Sequence, residues 1–168
     1  LKKSQALDFD DLLLKVHKLF QANEDILHKY QNRYLHVLVD EFQDTNTAQY
    51  TIARALAAHS GNICVVGDPD QAIYGWRNAD IRNILMFQND FPSAKVIVLQ
   101  ENYRSTPTIL AAAQGVISSN VQRMEKTLVP TRNEGTPVII HETIDPDEEA
   151  SWVVSEIKRL CSDDGFSY

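Results

Sequence analysis

The sequence predicts an α/β fold built on a mainly parallel sheet, and three observations support this. Short β-branched runs alternate with amphipathic stretches of helical period, the rhythm of repeated strand–helix–strand units. The runs are apolar on both faces, as in Leu35–Val39 and Ile63–Val66, which is typical of parallel strands between helices. Each run ends in polar or turn-forming residues, so we expect functional groups beyond the carboxyl ends of the strands.

The first elements follow from apolar spacing and capping residues. We predict a helix over 7–22 with acidic residues in its first turn, and a second helix capped by Asn23. A strand is predicted next, over 35–39, followed by a helix that Thr45 or Asn46 caps and Gly61 ends. A second strand is predicted over 63–66, with Cys64 as a small core residue. A helix over about 79–88 and a strand over 96–99 complete this part of the chain.

A second unit is predicted beyond residue 104, where the composition becomes more acidic. Ser105 or Thr106 should cap a helix that has Pro107 in its first turn. A polar stretch, a strand over 138–140 and a helix opened by the capping box of 145–148 follow. We therefore divide the chain into 1–104, part of a first domain, and 105–168, the start of a second.

Composition excludes several classes of protein. The 168 residues are 43% hydrophobic and carry a net charge of −7, so disorder is excluded and a non-specific basic nucleic-acid coat is disfavoured, although a local nucleic-acid track is not. No stretch approaches the ~20 apolar residues of a membrane span. The two cysteines have no metal-ligand spacing, so a reducing cytoplasm is expected. Because the first residue is Leu, we expect an internal piece of a longer protein.

Two adjacent carboxylates, Asp40 and Glu41, follow the first strand. A charge at the end of a buried strand is costly unless it holds a cation or a hydrogen-bond network. Mg²⁺ with nucleotide phosphates satisfies this, since Mg²⁺ needs only one or two protein carboxylates, and the second carboxylate can polarise a water. A helix-capping acid pair is the alternative.

The second strand leads into a loop, Gly67 to Arg77, that combines amide, aromatic and cationic side chains. Gln71 can orient a water or a phosphate oxygen. Tyr74, Trp76 and Arg77 could form a stacking platform for unpaired bases. The alternative is that both aromatic rings pack on the core.

The third strand is followed by Tyr103 and Arg104, just before a predicted helix. The arginine could reach a phosphate with its fork of donors, and the tyrosine could stack on an adenine ring. A solvated surface pair is the alternative.

Taken together, three segments resemble motifs II, III and IV of the UvrD/PcrA/Rep group of superfamily-one DNA helicases. They are Asp-Glu-Phe-Gln-Asp-Thr-Asn (40–46), Gly-Asp-Pro-Asp-Gln-Ala-Ile-Tyr-Gly-Trp-Arg (67–77) and Gln-Glu-Asn-Tyr-Arg-Ser (100–105). Residues 7–12 also resemble a segment upstream of motif II. The resemblance covers at least residues 7–119. It implies a RecA-like fold of the P-loop NTPase type, in which helices flank a parallel sheet, but without the N-terminal part that carries the phosphate loop. It also implies that the start of a second motor domain follows.

The resemblance also implies a role for each residue in ATP hydrolysis. Asp40 would hold Mg²⁺, Glu41 would be the general base, and Gln71 would sense the γ-phosphate. Tyr103 would stack on the adenine of ATP, and Arg104 would neutralise γ-phosphate charge in the transition state.

For DNA, the resemblance implies stacking of Tyr74 and Trp76 on single-stranded bases, with Arg77 between the DNA loop and the nucleotide. The implied activity is ATP-driven 3′→5′ translocation on single-stranded DNA and unwinding of 3′-tailed duplexes in replication and repair, with repair or replication proteins as partners.

Two departures and one absence qualify the resemblance. Ala72 and Asn78 stand where the family often has Ser and Gly; Asn tolerates left-handed backbone angles, so the turn at 78 should survive. No Gly-x-x-x-x-Gly-Lys-Ser/Thr loop occurs, so we expect the 168-residue chain alone to be inactive. A degenerate helicase-like scaffold, or the helicase part of an AddA/RecB-like helicase–nuclease, remains an alternative.

Overall fold

The computed structural model describes residues 6–121, 123–124, 126–163, 165 and 167. These residues form two compact units, one of residues 1–101 with 116–129, the other of 102–115 with 130–168. The division of the chain into domains after residue 104 stays a prediction. No helix among the described residues has the length and apolar character needed to cross a membrane.

In the first unit, two helices precede a small parallel sheet. Helices α1 (Phe9–Ala22) and α2 (Glu24–Arg33) come first. Asp8 is the N-cap of α1 and accepts a hydrogen bond from the Asp11 N–H, so the helix begins two residues after the predicted start at residue 7. Strands β1 (Val37–Val39) and β2 (Ile63–Val65) pair in parallel, with Val37 opposite Ile63.

Helix α3 (Thr47–Ala57) makes the crossover between the two strands. Asn46 and Gln49 form a reciprocal capping box at its start. Gly61 follows its end with a φ of 66°, a left-handed conformation that glycine adopts without strain. The capping and the crossover confirm the predicted strand–helix–strand unit.

The core of the first unit centres on Phe42, which is fully buried. Its ring meets Tyr50 and Phe87 edge-on, with centroids 5.5 and 5.6 Å apart, a favourable geometry for aromatic pairs. Phe87 begins α5 (Phe87–Asp90), which follows α4 (Arg82–Leu85). The single helix predicted over 79–88 is thus wrong, because the backbone leaves helical geometry at Met86.

The expectation that both strands are buried on two faces is also wrong. Leu38 is 77% exposed, and Cys64, opposite it in the register, is exposed rather than a core residue. Only alternate positions of β1 and β2 are partly buried. Helix α3 packs against β1, whereas Leu38 and Cys64 point to the opposite face of the sheet and stay exposed.

The strands predicted at 96–99 and 138–140 are not formed. Neither of these described segments has regular secondary structure, and Leu99 and Ile140 are 77% and 93% exposed. An apolar run becomes a strand only where a neighbour satisfies its backbone groups. The pairing occurs instead between β3 (Glu101–Asn102) and β4 (Val129–Pro130).

The second unit holds most of α6 (Pro107–Ile117) and all of α7 (Pro146–Asp163). Asp145 accepts from the Glu148 N–H and the Glu148 carboxylate accepts from the Ile144 N–H, which confirms the capping signal at 145–148. Trp152 of α7 stacks on His141, with ring centroids 4.3 Å apart.

Candidate active site

The carboxyl ends of β1 and β2 lie side by side. The Val66 N–H donates to the Val39 carbonyl at 2.8 Å, and the Phe42 N–H donates to the Val66 carbonyl at 2.9 Å. These two bonds extend the strand pairing past the last residue of each strand. The Asp40-Glu41 pair therefore lies next to the start of the loop at Gly67, as the parallel arrangement predicts.

Both carboxylates are exposed in this chain, which corrects the expectation of a costly buried charge. The Glu41 N–H donates to Asp40 Oδ1 at 2.9 Å. Glu41 itself has a φ of 48°, in the left-handed region. For a residue other than glycine this conformation stores about 1–3 kcal/mol of strain and persists only where neighbouring contacts enforce it.

Those contacts come from the 3₁₀ turn Phe42–Asp44 and above all from Gln43, which is 1% exposed. Gln43 Nε2 donates to Glu41 Oε2 at 2.8 Å and to Asp44 Oδ2 at 3.3 Å. Gln43 Oε1 accepts from the Asp68 N–H at 3.0 Å. One buried amide thus links the residue after β1 to the loop after β2.

Gly67 leaves the space that this amide needs. A Cβ at position 67 would lie 2.6 Å from Gln43 Oε1 and 3.1 Å from the Phe42 nitrogen. The second distance is to backbone, which cannot move aside cheaply. Position 67 requires glycine because the two strand ends approach so closely here.

Gln71, the predicted phosphate sensor, ends the 3₁₀ turn Pro69–Gln71. Its Nε2 donates to Asp68 Oδ2 at 2.8 Å. Asp68 therefore binds Gln43 through its backbone N–H and Gln71 through its carboxylate. The first unit brings Glu41 and Gln71 into one hydrogen-bonded network, with Gln43 and Asp68 between them.

Two basic residues that sequence analysis did not single out complete this network. Arg123 Nη2 lies 3.1 Å from Asp70 Oδ2, and Lys126 Nζ bonds Asp68 Oδ1 and lies 3.5 Å from Asp70 Oδ2. Burial acts to raise the pKa of Asp68, but the hydrogen bonds from Lys126, Gln71 and the Asp70 N–H outweigh it and hold the pKa below its ordinary value. The ion pairs anchor the polar stretch that follows α6 to the loop.

The aromatic loop is directed to solvent. Trp76 is 73% exposed and Tyr74 is 37% exposed, so packing of Trp76 on the core of this unit is ruled out. The Arg77 guanidinium lies over both rings, 4.4 Å from the Trp76 centroid and 5.3 Å from the Tyr74 centroid. Asn78 ends the turn in the left-handed conformation, with a φ of 66°, as predicted.

Tyr103 and Arg104 belong to the second unit. Asn102 Oδ1 accepts from the Arg104 and Ser105 N–H groups, at 3.1 and 2.8 Å. The Arg104 carbonyl accepts from Arg132 Nη1 at 2.8 Å. These bonds fix the backbone and leave the Arg104 side chain exposed. The roles of Tyr103 and Arg104 in nucleotide binding stay predictions.

The residues at the end of β1 fit a Mg²⁺ ion. Asp40 offers an exposed carboxylate whose Oδ1 is held by the Glu41 N–H, and Mg²⁺ prefers such hard oxygen ligands together with waters and phosphate oxygens. Within the described residues, no three His, Cys, Asp or Glu side chains gather into an all-protein metal site.

Fold and site together define an α/β chain with paired carboxylates at the end of β1, a loop containing Gln71 at the end of β2, and an exposed cluster of Tyr74, Trp76 and Arg77. Residues 1–92 match the model of the UvrD/REP helicase N-terminal domain, and residues 97–168 match that of the UvrD-like helicase C-terminal domain. The chain therefore belongs to the UvrD/REP helicase family.

Individual relatives agree with this assignment. The chain is 47% identical over 159 residues to the ATP-dependent DNA helicase PcrA of Staphylococcus aureus (strain Mu50 / ATCC 700699). It is 48% identical over 159 residues to the protein of the same name from Staphylococcus epidermidis (strain ATCC 12228 / FDA PCI 1200). Each match covers 95% of this chain but 22% of the relative, so the chain spans about a fifth of the length of these relatives.

Proposed function

We propose that this chain is part of an ATP-dependent DNA helicase, and that it contributes the hydrolytic residues and a DNA-stacking loop. The observation that carries this is the Gln43–Asp68 hydrogen bond of 3.0 Å. It ties the carboxylate pair after β1 to the loop that holds Gln71, Tyr74 and Trp76. Membership of the UvrD/REP helicase family and the similarity to PcrA helicases support the same activity.

In the proposed hydrolysis, Glu41 accepts a proton from the water that attacks the γ-phosphorus, and the bond to the ADP oxygen breaks. Asp40 would hold Mg²⁺, which would supply positive charge to offset that of the phosphates. Gln71 exchanges its hydrogen bond to Asp68 for one to the γ-phosphate. The family resemblance supports two further roles: Tyr103 stacks on adenine and Arg104 stabilises the transition-state charge.

The DNA-binding part of the proposal rests on the exposed aromatic cluster. Bases of single-stranded DNA stack on Trp76 and Tyr74, and stacking of this kind tolerates any sequence. Arg77 holds both rings in place through its contacts of 4.4 and 5.3 Å to their centroids. Because the cluster and Gln71 belong to one loop, a change at the γ-phosphate can reach the bound base.

The finer assignments extend this proposal to the whole protein. The described elements form part of a RecA-like first motor domain and the beginning of a second. The full-length protein translocates 3′→5′ on single-stranded DNA, unwinds 3′-tailed duplexes during replication or repair, and works in the cytoplasm.

The test uses the full-length protein that contains this chain. We expect it to hydrolyse ATP when single-stranded DNA is added, and Glu41→Gln to lower that turnover by at least about 100-fold. Arg82→Gln is a suitable control, since Arg82 is exposed and pairs only locally with Asp80. A wild-type protein that binds DNA but hydrolyses no ATP would contradict the proposal and favour a helicase-like scaffold.

A further inference from the structure

The roles assigned above do not explain why the side-chain amide of Gln43 is buried at this point of the structure. Among the described residues, the largest side chains that are almost fully buried are those of Gln43 and its neighbour Phe42. A buried amide must satisfy its donors and its acceptor. Gln43 does so entirely with groups of the candidate site, and this makes its orientation informative.

Its partners fix which end of the amide faces which residue. The Asp68 N–H can only donate, so Oε1 must face it. The carboxylates of Glu41 and Asp44 can only accept when ionised, so Nε2 must face them. A flipped amide would oppose like groups at all three contacts, and the observed orientation is therefore the stable one.

Glu41, by contrast, is exposed and sits on a strained backbone. An exposed glutamate normally samples several rotamers, and holding it in one costs conformational entropy. The Gln43 Nε2 bond of 2.8 Å holds the Oε2 atom. That bond leaves Oε1 available to accept a hydrogen bond from a water.

We infer that Gln43 is a positioning residue for ATP hydrolysis: it aims the Glu41 carboxylate at the attacking water and couples that aim to the loop after β2. This rests on the proposed function, since it assumes that Glu41 is the general base. Misplacement of a catalytic group by about 1 Å can cost roughly 100-fold in rate. The loss should appear in kcat, because Gln43 is almost fully buried and acts through its hydrogen bond to Glu41 rather than by contact with a ligand.

Two substitutions separate the contribution of the Gln43–Glu41 hydrogen bond from that of the Gln43–Asp68 hydrogen bond. Gln43→Glu keeps an oxygen to accept from the Asp68 N–H but loses the donor to Glu41 and places a second carboxylate against it. Gln43→Met keeps the approximate volume of the side chain and loses both hydrogen bonds. Gln31→Glu is the matched control, because Gln31 is also buried, at 5% exposure, and its Nε2 donates to the Ala55 carbonyl at 2.7 Å, a contact outside the site.

The experiment measures DNA-stimulated ATP turnover of the full-length protein, with thermal melting to check that each variant is folded. We expect Gln43→Glu and Gln43→Met both to lower kcat by about 10- to 100-fold while the KM for ATP and the affinity for single-stranded DNA change less than about threefold. Gln31→Glu should lower the melting temperature without lowering kcat.

A double-mutant cycle distinguishes positioning from general damage. If Gln43 acts through Glu41, then Glu41→Gln with Gln43→Met should hydrolyse ATP no more slowly than Glu41→Gln alone in single-turnover assays. Additive losses, a normal kcat in Gln43→Glu, or a KM that rises in step with the fall in kcat would each overturn the inference. Absence of turnover in the wild-type protein would instead overturn the proposed function.

Discussion

Arg123 and Asp70 form an ion pair with a 3.1 Å contact, and their side chains are only 14% and 9% exposed. They are 53 residues apart in sequence. Within the first unit this pair, with Lys126 and Asp68 beside it, fastens the segment after α6 to the loop that holds Gln71. The contact fixes the start of the loop for which we propose nucleotide sensing, while Trp76 near its tip stays exposed.

The Arg123–Asp70 pair should be important for stability. Arg123→Met leaves the buried Asp70 carboxylate with Lys126, 3.5 Å away, as its cationic partner, and losing a hydrogen bond to a buried charged group costs about 1.5–3 kcal/mol. We expect the urea midpoint of the protein to fall accordingly. Arg82→Met is the control: Arg82 pairs with Asp80 while 79% exposed, and such a pair contributes about 1 kcal/mol at most. Equal losses in both variants would contradict the prediction.

Asp68 should make stability depend on pH at the acid end. Its pKa is lower in the folded protein than its ordinary value of 3.8. The ionised, hydrogen-bonded form therefore stabilises the fold above that value, and this contribution disappears as the pH falls through the lowered pKa. Urea unfolding between about pH 6 and pH 3 should show a smaller decline for Asp68→Asn than for the wild type.

Lys126→Met provides a second measurement of the same effect, since the hydrogen bond from Lys126 is the largest cause that lowers this pKa. It should also reduce the acid-side decline. If stability declined towards acid pH in both variants as it does in the wild type, Asp68 would not be stabilised in its ionised form by these hydrogen bonds.

Trp76 should bind DNA without supporting the fold. Trp76→Ala is expected to weaken single-stranded DNA binding by the full-length protein by about 1–3 kcal/mol. Trp76→Phe should retain most of the affinity, because a flat ring remains. Fluorescence anisotropy with a labelled oligonucleotide measures both. The melting temperature should hardly change, since an exposed side chain contributes about 0.5 kcal/mol or less. Normal binding with a collapsed melting transition would contradict this role.

Arg104 should act in the transition state. Arg104→Ala is expected to lower ATP turnover by about 100-fold or more while nucleotide affinity changes little, since the guanidinium meets its full charge partner only as the γ-phosphate departs. Steady-state kinetics with equilibrium binding of a fluorescent nucleotide separates the two quantities. Equal losses in turnover and affinity would indicate ground-state binding instead.

Local signals in the sequence predicted the helices well and the strands less well. The capping residues Asn46 and Asp145 placed two helix starts correctly, because a cap is a contact between residues three apart. The run at 96–99 was as apolar as 63–66 but forms no strand. Strand pairing depends on a partner strand that is distant in sequence, and the residues of an apolar run do not indicate whether such a partner is present.

The candidate site shows the same division. Asp40, Glu41 and Gln71 were found from their positions after apolar runs and from the motifs they belong to. Gln43 lay inside a quoted motif but was not singled out, although an amide two residues after a carboxylate is a signal that could have been used. Arg123 and Lys126 gave no such signal, since a basic residue in a polar stretch is usually solvated.

By itself, the sequence determined the strand–helix–strand unit of β1, α3 and β2, the helix caps at Asn46 and Asp145, and the residue types that follow these strands, because these depend on neighbours along the chain. Tertiary structure alone decided that Gln43 joins Glu41 to Asp68, that position 67 must be glycine, and that Arg123 and Lys126 reach back to the loop. The hydrogen bonds from Gln43 and Lys126 to Asp68 join residues 25 and 58 positions apart, and only the folded backbone brings such partners within hydrogen-bonding distance.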